Sequence, residues 1–255
     1  MKDKLVSIII PALNEEKYLP KILECIKNQT YQNYEVIVAI SPETNDKTTQ
    51  IAQKYNAKIC KGGLYAQARN NGARIARGKI LFFFDADDTF GPDAIERALK
   101  LIDKRSLDYG VFAYRYSYNL EGLNLLARMY ETLRFFIFNA IFTVIITTAS
   151  MFYRITNGNC LFVRADLFKK IKGFNEKVEI AEDFDFGKRA GKYGKYGRLP
   201  ILVWSSNRRI KAVGFYRYIF IAGLTFLFET LNVTSLHRKI YKRRIKDRDY
   251  IIDRN

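Results

Sequence analysis

Histidine and cysteine are scarce in this sequence, and the familiar glycine-rich nucleotide loops are missing from it. The single histidine, His237, lies in TSLHRKIY, where nothing marks it as a ligand, and it reads as a surface residue. Cys25, Cys60 and Cys160 show neither metal-ligand spacing nor the density of a disulfide framework, so reduced thiols and a cytosolic compartment are expected. No G-x-G-x-x-G follows the first apolar run and no G-x-x-x-x-G-K-[ST] occurs, which removes the usual support for dinucleotide-binding and P-loop readings. That first run, residues 5–10, is too short for the core of a signal peptide and reads as a strand. Acidic residues are the minority, 26 against 43 basic, for a net charge of +17. Such an excess suits nucleic acid, an anionic membrane surface or phosphate-rich ligands. It is concentrated late in the chain: from Arg208 onward, 12 Lys/Arg face 4 Asp/Glu. The tail therefore carries much of the positive charge.

What is present is a globular composition, 48% hydrophobic and 27% charged over 255 residues, enough for one large α/β domain with an appendage. The first hundred residues alternate β and α signals, which predicts a largely parallel sheet. Residues 5–10 form an apolar, β-branched run suited to a strand covered on both faces. Leu19, Ile22, Leu23 and Ile26 share one face of a following helix, with Pro20 in its first turn or kinking it. YEVIVAI (34–40) is a second strand, Asp46 caps a helix running through Tyr55, and residues 57–60 form a short third strand. Gly62 and Gly63 open a loop into a helix that contains Arg69, Asn70 and Arg74 and ends at Gly78. Residues 79–84 are the next strand, and Gly91-Pro92-Asp93 starts another helix with proline at its first position. No internal repeat or low-complexity segment is evident.

The run ILFFFDADD (80–88) drives an apolar strand straight into three carboxylates, Asp85, Asp87 and Asp88. Like charges this close repel unless a cation or hydrogen bonds offset them. In open α/β sheets ligands bind beyond the carboxyl ends of the strands, and PALNE (11–15), SPE (41–43) and DAD (85–87) all fall at such ends. Two aspartates at i, i+2 suit a hard cation such as Mg²⁺ or Mn²⁺ bridging to substrate phosphates. An acidic loop bound by turn amides is the equally available reading of DADD alone.

Further motifs in order add to it: VSIIIPALNEE, YEVIVAI, YAQARNNGARIARGKILFFFDADD, NGNCLFVRADLFKKIKGFNE and AEDFDFGKRA. Together they make the chain resemble the family 2 glycosyltransferases of the GT-A fold, over roughly residues 4–117 and 155–205. The resemblance implies a mostly parallel, Rossmann-like sheet flanked by helices, with a catalytic domain at 1–212. It implies a nucleotide-sugar donor, UDP- or GDP-linked, and a divalent metal held by Asp87 with Asp85. Pro11, Ala12, Asn14 and Glu15 would line the nucleoside pocket, with Arg69 near the base. Asp183 would be the catalytic base, with Glu182 holding the acceptor or orienting Asp183. Acids in the first turn of a helix running to Ala190 would also explain that pair. The chemistry agrees: sugar transfer needs leaving-group charge stabilised and a base within reach of the acceptor hydroxyl, and direct displacement inverts the anomeric carbon.

Two departures stand out. Where the family often has Asp-Asp-Gly-Ser, this chain has SPETND (41–46), so Glu43 is the candidate for base recognition and UDP versus GDP stays open. The Q-x-x-R-W signature of processive synthases is absent; Arg208 and Arg209 in SNRR either grip a diphosphate or face solvent or lipid, and a single-sugar transfer is favoured. Nucleotidyl transfer needs a basic glycine-rich loop, the reverse of PALNEE.

An apolar insert, 118–154, contains 19 uncharged residues, 135–153, between Arg134 and Arg154. Its length would allow a membrane crossing. One crossing, however, would put Asp85 and Asp87 on one side and Asp183 on the other. Asn139, Thr143, Thr147 and Ser150 form a weakly polar stripe opposite Phe138, Ile141, Phe142 and Ile145, which suits a helix lying in an interface. The C-terminal helical tail, 213–255, adds FYRYIFIAGLTFLF and the basic KRRIKDR. The expectation is a peripheral or monotopic contact with the cytoplasmic membrane face through 135–153 and 213–246, and a lipid-linked acceptor such as a polyprenyl phosphate or glycolipid. A soluble enzyme with another acceptor is the alternative. A nucleic-acid-binding protein would explain the tail but leaves DADD and AEDFD without a task.

Overall fold

The computed structural model describes residues 4–117, 124–153, 160–178 and 181–230. Four parallel strands form one half of the sheet: β1 (Val6–Ala12), β2 (Tyr34–Ile40), β3 (Lys58–Lys61) and β4 (Ile80–Phe84). The other half is built from β5 (Thr89–Phe90), β6 (Tyr109–Tyr116), β7 (Cys160–Arg164) and β8 (Tyr196–Ser205). The eight strands run in the order β3-β2-β1-β4-β7-β6-β8-β5. β7 is antiparallel to both β4 and β6, β5 is antiparallel to β8, and β6 is parallel to β8. The sheet is therefore mixed, and the expectation of a mostly parallel one holds for its N-terminal half. From β1 the chain adds strands first on one side and then on the other, so the carboxyl ends of β1 and β4 mark the crevice where α/β sheets bind ligands.

Strand β4 shows why an unbroken apolar run was needed. Phe82 and Phe84 pack on one face of the sheet while Leu81 and Phe83 enter a separate core on the other. A strand's side chains alternate, so a sheet covered on both faces demands apolar residues at every position. The first face carries α1 (Leu19–Lys27) and α4 (Ala94–Lys104). The second carries α3 (Tyr65–Ile75), α6 (Ala165–Lys170) and α7 (Glu182–Ala190). Helix α2 (Thr48–Lys54) closes the edge near β3. Leu19, Ile22, Leu23 and Ile26 are all buried and Pro20 sits in the first turn of α1, as their spacing requires. Helix α3 ends at Ile75 rather than Gly78, which instead lies against Ser7 and donates its N–H to the Ser7 hydroxyl. Pro92 precedes α4 rather than opening it. Glycines Gly110 and Gly197 face one another across β6 and β8, where a Cβ on Gly110 would stand 1.7 Å from the Gly197 carbonyl oxygen.

Within the insert, α5 (Leu125–Tyr153) is one continuous helix, and α8 (Arg208–Val213) leads into α9 (Phe215–Thr230). Phe138 and Asn139 share the buried side of α5: Phe138 packs against Phe215, and the Asn139 amide bonds both the N–H and the carbonyl of Tyr116. Ile141 is exposed. The polar stripe proposed from sequence is thus corrected at its first member, because a pair of backbone groups at the end of β6 needed partners. The side chains of Thr143, Thr147 and Ser150 lie outside the described residues. Among the described residues no helix is long and apolar enough to cross a membrane.

Candidate active site

Two loops at the carboxyl end of the sheet are stitched to each other. The loop after β1 donates the Glu15 N–H to Thr48 Oγ1 at 2.7 Å and the Glu16 N–H to Asp46 at 2.9 Å. Asn14, in a left-handed conformation that asparagine tolerates, accepts the Asn45 N–H at 2.9 Å. Asp46 also accepts the Thr48 N–H. The N-cap of α2 is Lys47, however, and the helix ends at Lys54, so the expected Asp46 cap is corrected: its carboxylate ties the two loops together instead. Pro11 and Ala12 are the buried last residues of β1, and Glu43 is exposed on the neighbouring loop.

The carboxylates of DADD meet three different fates. Asp85 faces Arg69 from α3, 3.3 Å away. Asp87 faces the Nε of Arg208 from α8 at 3.2 Å. Asp88 is fully buried, and one of its oxygens accepts the Asp85 N–H at 2.9 Å. Burial, reinforced by the charges of Asp85 and Asp87, pushes the Asp88 carboxyl well above the usual range.

Arg69 joins the two halves of the site. Its guanidinium is buried, lies between the rings of Tyr65 and Phe174, and donates to Glu182 at the start of α7 at 2.6 Å while facing Asp85. Burial works against that charge, but Glu182, Asp85 and Asp183 together hold its pKa above the ordinary arginine value. Asp183 follows Glu182 in the first turn of α7 and accepts the Phe184 N–H at 3.0 Å. Glu182 and Asp183 are thus brought within one side chain of DADD, with Arg69 held by carboxylates.

Arg208 spans the opposite wall. It makes two parallel bonds to Glu15, at 2.7 and 2.8 Å, and lies over the Tyr18 ring, 4.5 Å from its centre. Burial pushes the Glu15 carboxyl up to about 7, with Arg208 pulling the other way and the charges of Asp87 and Asp85 adding to the rise. The pair also holds Arg208 firmly charged. The Arg209 side chain and His237 lie outside the described residues. Sequence reasoning had no signal for Tyr18 or for the Glu15–Arg208 fork.

The family model for glycosyl transferase family 2 matches residues 7–157. The chain belongs to glycosyl transferase family 2. An uncharacterized glycosyltransferase of Rickettsia typhi is 29% identical over 188 residues, 71% of this chain and 57% of that protein. One from Methanocaldococcus jannaschii is 28% identical, covering 73% of this chain and 64% of its own length. The hyaluronan synthase of Pasteurella multocida is 28% identical over 82% of this chain and 22% of its own length. The chain thus spans less than two thirds of these relatives. Among solved structures, S. aureus TarS in complex with UDP-GlcNAc superimposes with a TM-score of 0.60 at 21% identity, over 79% of this chain and 58% of that one. The mannosyltransferase PcManGT of Pyrobaculum calidifontis, in complex with GDP-Man and Mn²⁺, gives 0.57 at 20% identity, over 78% and 56%. At such identities the likeness establishes the shared fold.

Asp85 and Asp87 are hard oxygen donors of the kind Mg²⁺ and Mn²⁺ prefer. Among the described residues no group of three or more His, Cys, Asp or Glu side chains is arranged to hold a metal. The donor set fits an ion that completes its shell with substrate phosphate and water, not one caged by protein alone.

Proposed function

We propose that this chain is an inverting glycosyltransferase that moves one sugar from a UDP- or GDP-linked donor to an acceptor, with Mn²⁺ or Mg²⁺ held by Asp87 and Asp85. One observation carries this reading: two ion-pair clusters, Arg69 with Asp85 and Glu182 and Arg208 with Glu15 and Asp87, meet at the Asp85–Asp87 loop in the crevice beyond β1 and β4. The donor complexes of the structural neighbours support the same class of ligand. When bound, the metal would offset charge on the leaving diphosphate. Pro11, Ala12, Asn14 and Glu43 lie on the nucleoside side. Arg69 fixes Glu182 and thereby the first turn of α7, where Asp183 takes the acceptor proton. General-base help of this kind is worth about 10²–10⁴-fold. Arg208, with Arg209, stands to grip the diphosphate.

Calorimetric binding of UDP and of GDP, each with Mn²⁺ and with chelator, tests the donor site. Wild type is expected to bind one nucleotide only with metal, and Asp87→Ala to lose that binding. Folded wild type that binds neither nucleotide overturns the proposal.

The acceptor we propose is lipid-linked, met at the cytoplasmic membrane face. Helix α5 exposes Leu126, Leu133, Phe136 and Val144, and α9 exposes Tyr216 and Phe220. An apolar face this extensive marks an interaction surface, and the KRRIKDR that follows in sequence suits anionic headgroups. A phosphate acceptor needs little deprotonation. Asp183→Asn therefore separates the acceptor classes: transfer to a hydroxyl falls by two or more orders of magnitude, roughly the general-base contribution, and transfer to a phosphate is largely kept.

A further inference from the structure

We infer that Arg208 is the resident cation of this site: it keeps a free divalent ion off Asp87, so that metal enters only together with a diphosphate. The inference rests on the proposal that Asp87 faces the donor diphosphate, and it adds an order of binding.

The geometry is that of a filled place. Arg208 spends two parallel donors on Glu15, at 2.7 and 2.8 Å, and turns its Nε to Asp87 at 3.2 Å, while Tyr18 covers the guanidinium face. The side chains of Glu15 and Asp87 are 10% and 7% exposed, so neither charge is well served by water. Only the planar guanidinium fork can serve both carboxylates in this way; an ammonium is a single point of charge.

A bare ion approaching Asp87 would meet that positive charge at close range. It would then have to expel Arg208, which leaves Glu15 buried without its partner, a costly exchange. In return the protein offers no group of three suitable ligands among the described residues. A metal–diphosphate complex changes the balance. Its own anionic oxygens accept the guanidinium donors as charge-assisted bonds while the ion reaches Asp87, so Arg208 moves from one set of anions to another. Its position favours such a move: Arg208 opens the short helix α8, just beyond the end of β8, and is not held in the sheet.

The test needs no turnover. Free Mn²⁺ is counted by electron paramagnetic resonance as it is titrated into wild type, Arg208→Gln and Arg208→Lys, with no nucleotide and then with UDP or GDP. Wild type is expected to bind Mn²⁺ at least roughly tenfold more tightly with nucleotide than without it, as a like charge held at Asp87 implies. Arg208→Gln is expected to bind Mn²⁺ alone roughly tenfold or more tightly than wild type, and Arg208→Lys to fall between them, since its point charge covers one carboxylate at a time. A folded Arg208→Gln that takes up Mn²⁺ no better than wild type overturns the inference. So does wild type that binds Mn²⁺ alone as tightly as with nucleotide, a comparison that decides the matter even if Arg208→Gln fails to fold. Failure of the donor assignment shows itself separately, as no UDP or GDP binding by wild type with Mn²⁺. The nucleotide-free comparison of variants still reads Arg208 in that case.

Discussion

Three aspartates in one tetrapeptide behave as three different groups, because each meets a different neighbour. Asp85 meets Arg69, Asp87 meets Arg208, and Asp88 is buried with no ion pair among the described residues. Because burial disfavours the charged form of Asp88, Asp88→Asn is expected to fold with a loss of about 1 kcal/mol or less in urea denaturation and to keep Mn²⁺-dependent nucleotide binding. Asp87→Asn is expected to lose that binding. Arg69→Gln strips two carboxylates of a buried partner, and its expected cost is about 3–5 kcal/mol in the same denaturation experiment. Glu15 supplies a pH signature. Its carboxyl is raised on folding from 4.5 to about 7, so the folded state holds its proton more tightly. That contribution to stability is complete below pH 4.5 and is lost as pH rises through about 7. Relative to Glu15→Gln, wild type should therefore lose stability across that window, by up to roughly 3 kcal/mol. A flat difference between the two melting curves would refute the assignment. The aspartates themselves were conspicuous in the sequence, whereas their partners were not: Arg69 lies 16 and 113 positions from the groups it joins.

At the level of elements, local periodicity was an adequate guide wherever one face of a helix meets the sheet. The buried side of α1 and the limits of α7 follow from spacing alone. Strands β6 and β8 carry no clear periodicity, because Gly110, Gly197 and Pro200 break the apolar pattern there, and the close approach of the two strands explains the glycines. Helix α5 misled at Asn139, since a polar residue in an apolar helix looks solvent-facing until its partner is known. Asn139 is instead the clasp that ties α5 to the end of β6. Asn139→Ala removes the side-chain partner of the buried Tyr116 N–H and carbonyl, at an expected cost of about 1–3 kcal/mol. Hydrogen exchange should register the change as faster exchange of the Tyr116 amide and the adjoining turns of α5.

The whole molecule presents a paired-ion crevice at one end of a sheet and a broad apolar face on α5 and α9, joined through Phe138 and Phe215. If that face meets a bilayer, Leu133→Asp combined with Phe136→Asp should weaken binding to anionic phosphatidylglycerol vesicles by roughly tenfold or more, each side chain being worth about 1.5–3 kcal/mol when buried. Nucleotide binding should stay at the wild-type level, and a vesicle affinity that does not change would count against a membrane role for this face.

The sequence by itself determined the α/β class, the strand that ends in DADD, the helix that opens with Glu182 and Asp183, and the family, because each is written in short-range pattern or in ordered motifs. Only the tertiary structure decided which charges neutralise which. Glu15 and Arg208 stand 193 positions apart, and no periodicity links residues whose proximity is made by the order of strands in a sheet.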